Sequence, residues 1–308
     1  MSPGPRAIRQ PVLPRLTAAN APLTEAVAVV DESGARTEIR IPAERALTLY
    51  LDKRELVTLM TLGAHPEWLV LGYLLNQGLV AEVGQVESVT VDWDVGAAAV
   101  RTRAGFAPPE PATQGTRVVT TGCGQGSMFS HLMDDLAQAR LVRGDAAQMG
   151  QEQLFALVNT IRVQETTYKS AGSVHACALF AVPQGHDAAP RLRLFVEDVG
   201  RHNALDTLAG WAALHAAEAG VAPALYTTGR LTSEMIIKSA QMGVSLVVSR
   251  SGMTHMGHQI AQQLGICAVG RATARRFLCF SRPDRLRFLP AAPAAPVPAP
   301  VPPEAPGG

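Results

Sequence analysis

The last third of the sequence alternates short β-prone runs with helical segments, and this alternation limits the possible folds more than any other feature. Strands are predicted at 224–227, 245–248 and 266–269, and helices at 233–242 and 255–264 lie between them. A strand, a helix and a second strand at this spacing form a right-handed crossover, which places the two strands side by side. We therefore expect an α/β fold with a parallel or mixed sheet.

The preceding part of the chain contains further elements of the same kind. Its residue patterns predict strands at 117–120, 174–182 and 192–196, a last strand at 276–280, and helices at 127–141, 151–162 and 204–217. We assign residues 107–288 to one α/β domain, of which 107–115 is interpreted as a linker because it contains three prolines.

Residues 38–106 have a different pattern, typical of a smaller α+β domain. Two hairpins are predicted, one joining 46–51 to 55–60 and the other joining 87–92 to 97–103. Between them a helix begins at Pro66, whose fixed φ suits the first helical turn, and ends near Gly78, a typical C-terminal cap. Its expected apolar face consists of Leu69, Leu71, Leu74 and Leu75.

Proline is concentrated at both ends of the chain. Five of the 22 prolines fall in residues 1–24 and eight fall in residues 290–308. Proline lacks a backbone N–H, so such segments favour extended, polyproline-like conformations. We predict disordered extensions over 1–37 and 289–308.

Composition narrows the class of protein. The 27 Lys and Arg residues nearly balance the 26 Asp and Glu residues, which argues against a dedicated nucleic-acid binder. Four scattered cysteines do not make a disulfide framework, and no apolar run approaches the 18 residues of a membrane span. The first 24 residues lack the apolar core of a secretory signal. We expect a cytoplasmic protein with reduced thiols and neither a membrane nor a nucleic-acid partner.

One cysteine lies in a loop suited to sulfur chemistry. Cys123 is surrounded by Gly122, Gly124 and Gly126, between a predicted strand and a helix that starts at Ser127. The positive end of a helix dipole favours the thiolate form, which is a nucleophile and could carry a persulfide. The alternative, a small residue in a tight turn, stays open.

Five polar residues cluster between the strand at 192–196 and the following helix: Glu197, Asp198, Arg201, His202 and Asn203. In an open α/β sheet, the carboxyl ends of the strands line the ligand crevice. These residues are therefore placed to bind a polar ligand or to transfer protons. In the competing interpretation, Asn203 is only a helix cap and Asp198 only complements the helix dipole.

Two more loops follow predicted strands and carry arginine. Gly229 and Arg230 precede a helix in a turn that suits a phosphate, although the GK[ST] of a P-loop is missing. The second loop contains three arginines in six residues and could clamp a phosphate, or it could be solvated surface charge. It consists of Arg271, Ala272, Thr273, Ala274, Arg275 and Arg276.

Two histidine motifs do not support a metal site. His255 and His258 are three residues apart on a predicted helix, without the glutamate of an HExxH motif. The triplet His175-Ala176-Cys177 lacks both the glutamate and the downstream PCxxC of zinc deaminases. We expect no zinc and no other metal held by the chain.

Taken together, five blocks resemble the formate dehydrogenase accessory sulfurtransferase family, FdhD/NarQ. The resemblance covers roughly residues 40–285, and the most specific block is EDVGRHNALD at 197–206. The other blocks agree in order and spacing: TTGCGQG at 120–126, GSVHACALF at 172–180, TGRLTSEMIIK at 228–238 and SRPDR at 281–285.

This resemblance implies a function. Members take sulfur from a cysteine desulfurase as a persulfide and pass it to the molybdenum of the bis(molybdopterin guanine dinucleotide) cofactor, before the cofactor enters formate dehydrogenase. By resemblance, Cys123 is the persulfide cysteine and Arg271–Arg276 the cofactor-binding segment. Because of their positions in the strand-end loops, we expect Arg201, His202, Gly229 and Arg230 to be further cofactor-binding residues. The resemblance also implies a cytidine-deaminase-like α/β fold with a smaller N-terminal α+β domain, and a homodimer.

The sequence departs from the family pattern at one position of the cysteine loop. Many members have a second cysteine three residues after the first, where this chain has Gly126. A single persulfide on Cys123 must then suffice, and Cys177, Cys267 and Cys279 are assigned to structure. The departure also leaves an alternative open, a chaperone that binds the cofactor without transferring sulfur.

Overall fold

The computed structural model describes residues 12–105, 118–119, 148–164, 166–183, 188–216 and 223–288. Its N-terminal half is built on a six-stranded sheet with the strand order β1-β6-β7-β4-β5-β8. The elements of this half are β1 (Arg15–Leu16), β2 (Thr24–Val30), β3 (Arg36–Pro42), β4 (Arg45–Leu51), β5 (Arg54–Thr61), α1 (Pro66–Asn76), a 3-10 turn (Val83–Gln85), β6 (Val86–Asp92), β7 (Ala97–Thr102) and β8 (Val118–Val119).

Both hairpins predicted in this half are confirmed. Strands β4 and β5 pair antiparallel, and the turn between them places Asp52 and Lys53 at positive φ. Leu47, Leu49 and Leu51 alternate with less buried residues along β4, so one face of the strand covers the core. The second hairpin pairs β6 with β7.

Regular structure begins earlier than the sequence analysis expects. Strands β1 and β2 lie in the segment predicted to be disordered up to residue 37: β1 pairs with β6, and β2 pairs with β3, which begins at Arg36. The Asp31 carboxylate accepts the backbone N–H groups of Ser33 and Ala35, which closes the turn of this hairpin. The high proline content near the N-terminus obscured this local hairpin signal.

The C-terminal half is built on a mixed six-stranded sheet with the order β11-β10-β12-β13-β14-β15. Strands β12, β13 and β14 are parallel, as the strand–helix–strand spacing predicts, and the flanking pairs are antiparallel. The elements are β9 (Met149–Gly150), α2 (Gln151–Arg162), α3 (Thr167–Ala171), β10 (His175–Ala181), β11 (Arg191–Asp198), α4 (Arg201–Leu214), β12 (Pro223–Thr227), α5 (Ser233–Gln241), β13 (Leu246–Ser249), α6 (His255–Leu264), β14 (Cys267–Gly270), β15 (Leu278–Ser281), a 3-10 turn (Pro283–Arg285) and β16 (Leu286–Arg287).

Helices cover both faces of this sheet. Apolar residues of α4, α5 and α6 form one core with one face of the strands, and the buried residues Leu154, Leu157 and Val158 of α2 belong to the core on the other face. The bounds of α2 and α6 are those predicted. Helix α4 begins three residues earlier than predicted, at Arg201, and the predicted helix at 127–141 lies outside the described residues.

The two halves meet where α1 crosses α4. A Cβ atom added to Gly72 would lie 1.7 Å from the Asp206 carbonyl oxygen, and one added to Gly210 would lie 2.0 Å from the Trp68 carbonyl oxygen. The two backbones are therefore in direct contact, which only glycine allows. The prediction of one apolar face on α1 is too narrow, because residues on most sides of this helix are buried, although Leu75 is not fully buried.

Within the described ranges, no helix is long and apolar enough to cross a membrane. The predicted cysteine loop at 120–127 and the proline-rich tail at 289–308 lie outside those ranges.

Candidate functional site

A cavity of about 1040 Å³ opens at the carboxyl ends of the parallel strands β12, β13 and β14. This is the edge at which open α/β sheets bind ligands. The lining comes from α2 and α3, from β10 and β11, and from the loops that follow the three parallel strands: Val158, Ile161, Arg162, Thr166, Tyr168, Lys169, Val174, His175, Ala176, Phe195, Glu197, Tyr226, Thr228, Arg250, Ser251, Ala272, Thr273, Ala274, Arg275 and Arg276.

The charge of the lining selects for anions. Four arginines and one lysine line the cavity, and Glu197 is the one carboxylate among the lining residues. Guanidinium groups bind phosphate oxygens through two parallel hydrogen bonds, so a phosphate-bearing ligand fits this surface. The aromatic rings of Tyr168, Phe195 and Tyr226 add apolar area for a flat group.

A tight turn presents two of these arginines. The Thr273 N–H donates to the Arg276 carbonyl at 2.8 Å, and the Thr273 hydroxyl accepts the N–H of Arg276 at 3.1 Å. Arg275 and Arg276 are both exposed on this turn. The structure thus brings Ala272–Arg276 of the predicted cofactor segment to the cavity, whereas Arg271 lies outside its lining.

The other predicted cofactor residues, Arg201, His202, Gly229 and Arg230, are not among the lining residues of the cavity. The Arg201 side chain packs against Gly229, where an added Cβ would lie 2.9 Å from its Cδ atom. The Gly229 N–H donates to the Thr227 hydroxyl at 3.1 Å, so this amide is already engaged. Arg201 and exposed Arg230 both lower the pKa of His175, in addition to the larger effect of burial. His175 therefore faces the cavity as a neutral imidazole.

His202 points to a polar cluster between α4 and α5. Its Nε2 atom lies 3.5 Å from Glu234, and burial lowers its pKa to about 2, with Lys238 as the next cause. Lys238 forms a buried ion pair with Asp206 at 2.9 Å, and Asp206 also accepts the Asn76 amide N–H at 2.6 Å. This cluster links α1, α4 and α5, so it holds the two halves of the chain together.

Asp198 has a similar linking role. One carboxylate oxygen accepts the hydroxyl of Thr61 and the N–H of Leu62, and the other accepts the N–H of Gly200 and the amide of Asn203. Burial raises the pKa of Asp198 to about 6, and these hydrogen bonds oppose the rise. The competing interpretation of Asn203 as the cap of α4 is wrong, since Gly200 occupies that position. Asp198 and Asn203 fasten strand β5 to the start of α4.

Three of the four cysteines, Cys177, Cys267 and Cys279, lie in the residues that the structure describes. Cys123 lies outside the described residues. Cys177 is fully buried with its sulfur 3.3 Å from the Thr227 hydroxyl, and burial raises its pKa to about 12. Cys267 is also fully buried. Within the described ranges, no three His, Cys, Asp or Glu residues are grouped as a metal site.

Several lining residues were not found by sequence reasoning. Arg250 directly follows β13 and occupies the same kind of strand-end position as the loops that were selected, so the strand assignment alone could have found it. Tyr168 and Lys169 lie in α3, a five-residue helix without a periodic apolar pattern. No sequence signal pointed to that helix.

The model of the FdhD/NarQ family matches residues 42–287, which is most of the sequence. The chain belongs to the FdhD/NarQ family. The expected resemblance is thereby confirmed over a slightly shorter range at the N-terminal end.

Relatives in the FdhD/NarQ family are similar over nearly their whole length. The sulfur carrier protein FdhD of Bacillus subtilis is 30% identical over 255 residues, which cover 82% of this chain and 92% of that protein. The protein of the same name from Listeria innocua is 29% identical over 258 residues, covering 83% and 95%.

A solved structure supports the fold. The crystal structure of a formate dehydrogenase accessory protein from Desulfotalea psychrophila matches with a TM-score of 0.67 and 22% sequence identity. The match covers 86% of this chain and all of that one. This confirms the mixed α/β fold of this FdhD/NarQ member, whereas the cytidine-deaminase-like classification stays a prediction.

Proposed function

We propose that this chain is a sulfur carrier that delivers persulfide sulfur on Cys123 to the bis(molybdopterin guanine dinucleotide) cofactor of formate dehydrogenase. The observation that carries this proposal is the family match over residues 42–287, with relatives named sulfur carrier protein FdhD. The proposed partners are a cysteine desulfurase, the catalytic subunit of formate dehydrogenase and a second copy of this chain.

The cavity supports the cofactor part of the proposal. A guanine dinucleotide ends in a purine base and carries a diphosphate, and the lining offers aromatic rings and cationic groups for the two parts. Arg275, Arg276 and Arg250 would bind phosphate oxygens, because their charge is balanced by a single carboxylate in the lining. The volume of about 1040 Å³ is sufficient for one nucleotide end of the cofactor.

The sulfur steps balance with one cysteine. The Cys123 thiolate attacks the terminal sulfur of the desulfurase persulfide, which gives a Cys123 persulfide and leaves the desulfurase thiolate. The terminal sulfur atom then passes to molybdenum(IV) of the cofactor, which becomes molybdenum(VI) with a terminal sulfido group, and Cys123 regains its thiol. No second loop cysteine is needed, which agrees with Gly126.

Mass spectrometry tests the carrier role. The full chain is incubated with a cysteine desulfurase and cysteine, and we expect a mass increase of one sulfur atom on Cys123. Cys123→Ala should abolish both this adduct and formate dehydrogenase maturation in cells that lack the native protein. Cys279→Ala, which removes a partly buried cysteine, serves as the matched control and should retain both.

The same experiment separates the alternative function. Gly126, in place of the second cysteine, favours a chaperone that binds the cofactor without carrying sulfur. GDP binding by the full chain, together with maturation that survives Cys123→Ala and no sulfur adduct, would replace the carrier proposal with the chaperone.

A further inference from the structure

Three aromatic residues line the cavity, and their rings differ in accessibility. Tyr226 is 3% exposed and Phe195 packs against the apolar core, whereas Tyr168 is 54% exposed. An accessible aromatic ring on a cavity wall offers a flat apolar face, and such faces stack on nucleobases. Tyr168 therefore has the exposure that a base-stacking residue needs.

A side chain of the C-terminal sheet holds the backbone of Tyr168 in place. Tyr168 lies in α3, whose five residues are too few to form a stable helix without outside contacts. Glu197, at the end of β11, accepts the Thr167 N–H at 2.6 Å and the Tyr168 N–H at 3.3 Å. Glu197 is only 9% exposed, so its carboxylate is held in one place while it fixes the first turn of α3.

Further contacts support the same helix. The Thr166 hydroxyl accepts the Lys169 N–H at 3.1 Å, which caps α3, and strand β3 contacts α3. Both oxygens of Glu197 accept backbone N–H groups of α3, so this carboxylate is engaged in holding the helix.

We propose that Tyr168 stacks on the purine base of the nucleotide end of the cofactor, and that Glu197 is a positioning residue that holds Tyr168 against the cavity. This inference rests on the proposed function, since it assumes that a guanine nucleotide occupies the cavity. The proposal assigns the lining residues to two parts of the nucleotide, the base and the phosphates. The ring of Tyr168 contacts the base, while Arg250, Arg275 and Arg276 contact the phosphates.

Calorimetry of the full chain with GDP tests the stacking. Loss of a base–aromatic stack weakens binding by about 5- to 100-fold, so Tyr168→Ala should raise the Kd for GDP by that factor. Tyr168→Phe keeps the ring and should restore the affinity. Tyr50→Ala, in β4 and outside the cavity lining, is the matched tyrosine control and should bind GDP as the wild type does.

Inorganic pyrophosphate serves as a second probe, because it has the phosphates but no base. Tyr168→Ala should leave the Kd for pyrophosphate unchanged while it weakens GDP binding. Equal weakening of both probes would mean that the variant disturbs the cavity as a whole, and this would overturn the assignment of Tyr168 to the base.

A double-mutant cycle tests the positioning role. Glu197→Gln should weaken GDP binding in the wild-type background and have no further effect in the Tyr168→Ala background, because Glu197 acts through Tyr168. Equal effects in both backgrounds would refute the role of Glu197. Thermal melts of each variant confirm that it is folded.

The outcomes also separate this inference from the function on which it rests. A wild-type chain that does not bind GDP would remove the cofactor part of the proposed function, and this inference with it. If the wild type binds GDP and Tyr168→Ala binds it with the same Kd, this inference is overturned while the proposed function stands.

Discussion

The contact between α1 and α4 can be tested by adding one methyl group to it. In Gly72→Ala the new Cβ would lie 1.7 Å from the Asp206 carbonyl oxygen, so the helices would have to separate by about 1.7 Å to reach the 3.4 Å of an ordinary contact. Overpacking of this kind costs about 1–3 kcal/mol. The separation also stretches the hydrogen bond between Asn76 and Asp206, which adds about 1–3 kcal/mol for a buried polar group left unsatisfied.

One effect acts in the opposite direction. Alanine stabilises a helix interior by about 1 kcal/mol relative to glycine. The net expectation for Gly72→Ala is a loss of about 1–5 kcal/mol in the free energy of unfolding, or a fall in Tm of about 2–20 °C for a chain of this size. Thermal and urea denaturation followed by circular dichroism measure both quantities.

A control variant and a double variant test whether the effect comes from the contact between α1 and α4. Gly84→Ala places its Cβ 3.6 Å from the Glu82 side chain, an ordinary contact distance, and should change stability by no more than about 0.5 kcal/mol. Gly210→Ala should be as destabilising as Gly72→Ala, but the pair should cost less than the sum, because one separation accommodates both methyl groups. A Gly72→Ala protein that melts within about 1 °C of the wild type would refute the direct backbone contact.

Three further expectations follow from the site. Buried Cys177, with a pKa raised to about 12, should resist iodoacetamide at pH 8 in the folded protein and react only after unfolding, as peptide mass spectrometry would show. Arg276→Ala should weaken GDP binding by about 10- to 150-fold in calorimetry, since a charge-assisted hydrogen bond contributes about 1.5–3 kcal/mol, whereas Arg191→Ala outside the cavity should have no effect. The pKa of Asp198 is raised from 3.8 to about 6, so the folded chain binds this proton more tightly than the unfolded chain does. The stability advantage of the wild type over Asp198→Asn should therefore fall as the pH rises from about 4 to about 6 and then level off, and urea titrations that show it rising would contradict the shift.

Much of the fold could be predicted from local patterns in the sequence. The strand–helix–strand spacing predicted β12, β13 and β14 and the helices between them, and α2 was predicted to the residue. These elements depend on periodicity and on turn residues, which are properties of short stretches of sequence. The arginine segment at 271–276 was also found from a local pattern, because it has three arginines in six residues.

Long-range packing was not accessible in this way. Nothing in the residues around Gly72 shows that a second helix approaches there, since its partner Gly210 is far away in the sequence. In the same way, the neighbours of Asn203 in the sequence left both a ligand site and a helix cap open, whereas its amide donates to the Met60 carbonyl of β5. The place of Tyr168 in the cavity depends on Glu197, which is also distant in sequence.

The glycine contact between α1 and α4 also bears on how this protein could be recombined with its relatives. The close approach of the two backbones needs a residue without a Cβ at both positions, although the positions lie in two distant stretches of the chain. A chimaera that takes its first hundred residues from one relative and the remainder from another would tolerate the junction only where both parents supply the small residue. Laboratory recombination should accordingly favour crossover points that keep Gly72 and Gly210 from the same parent.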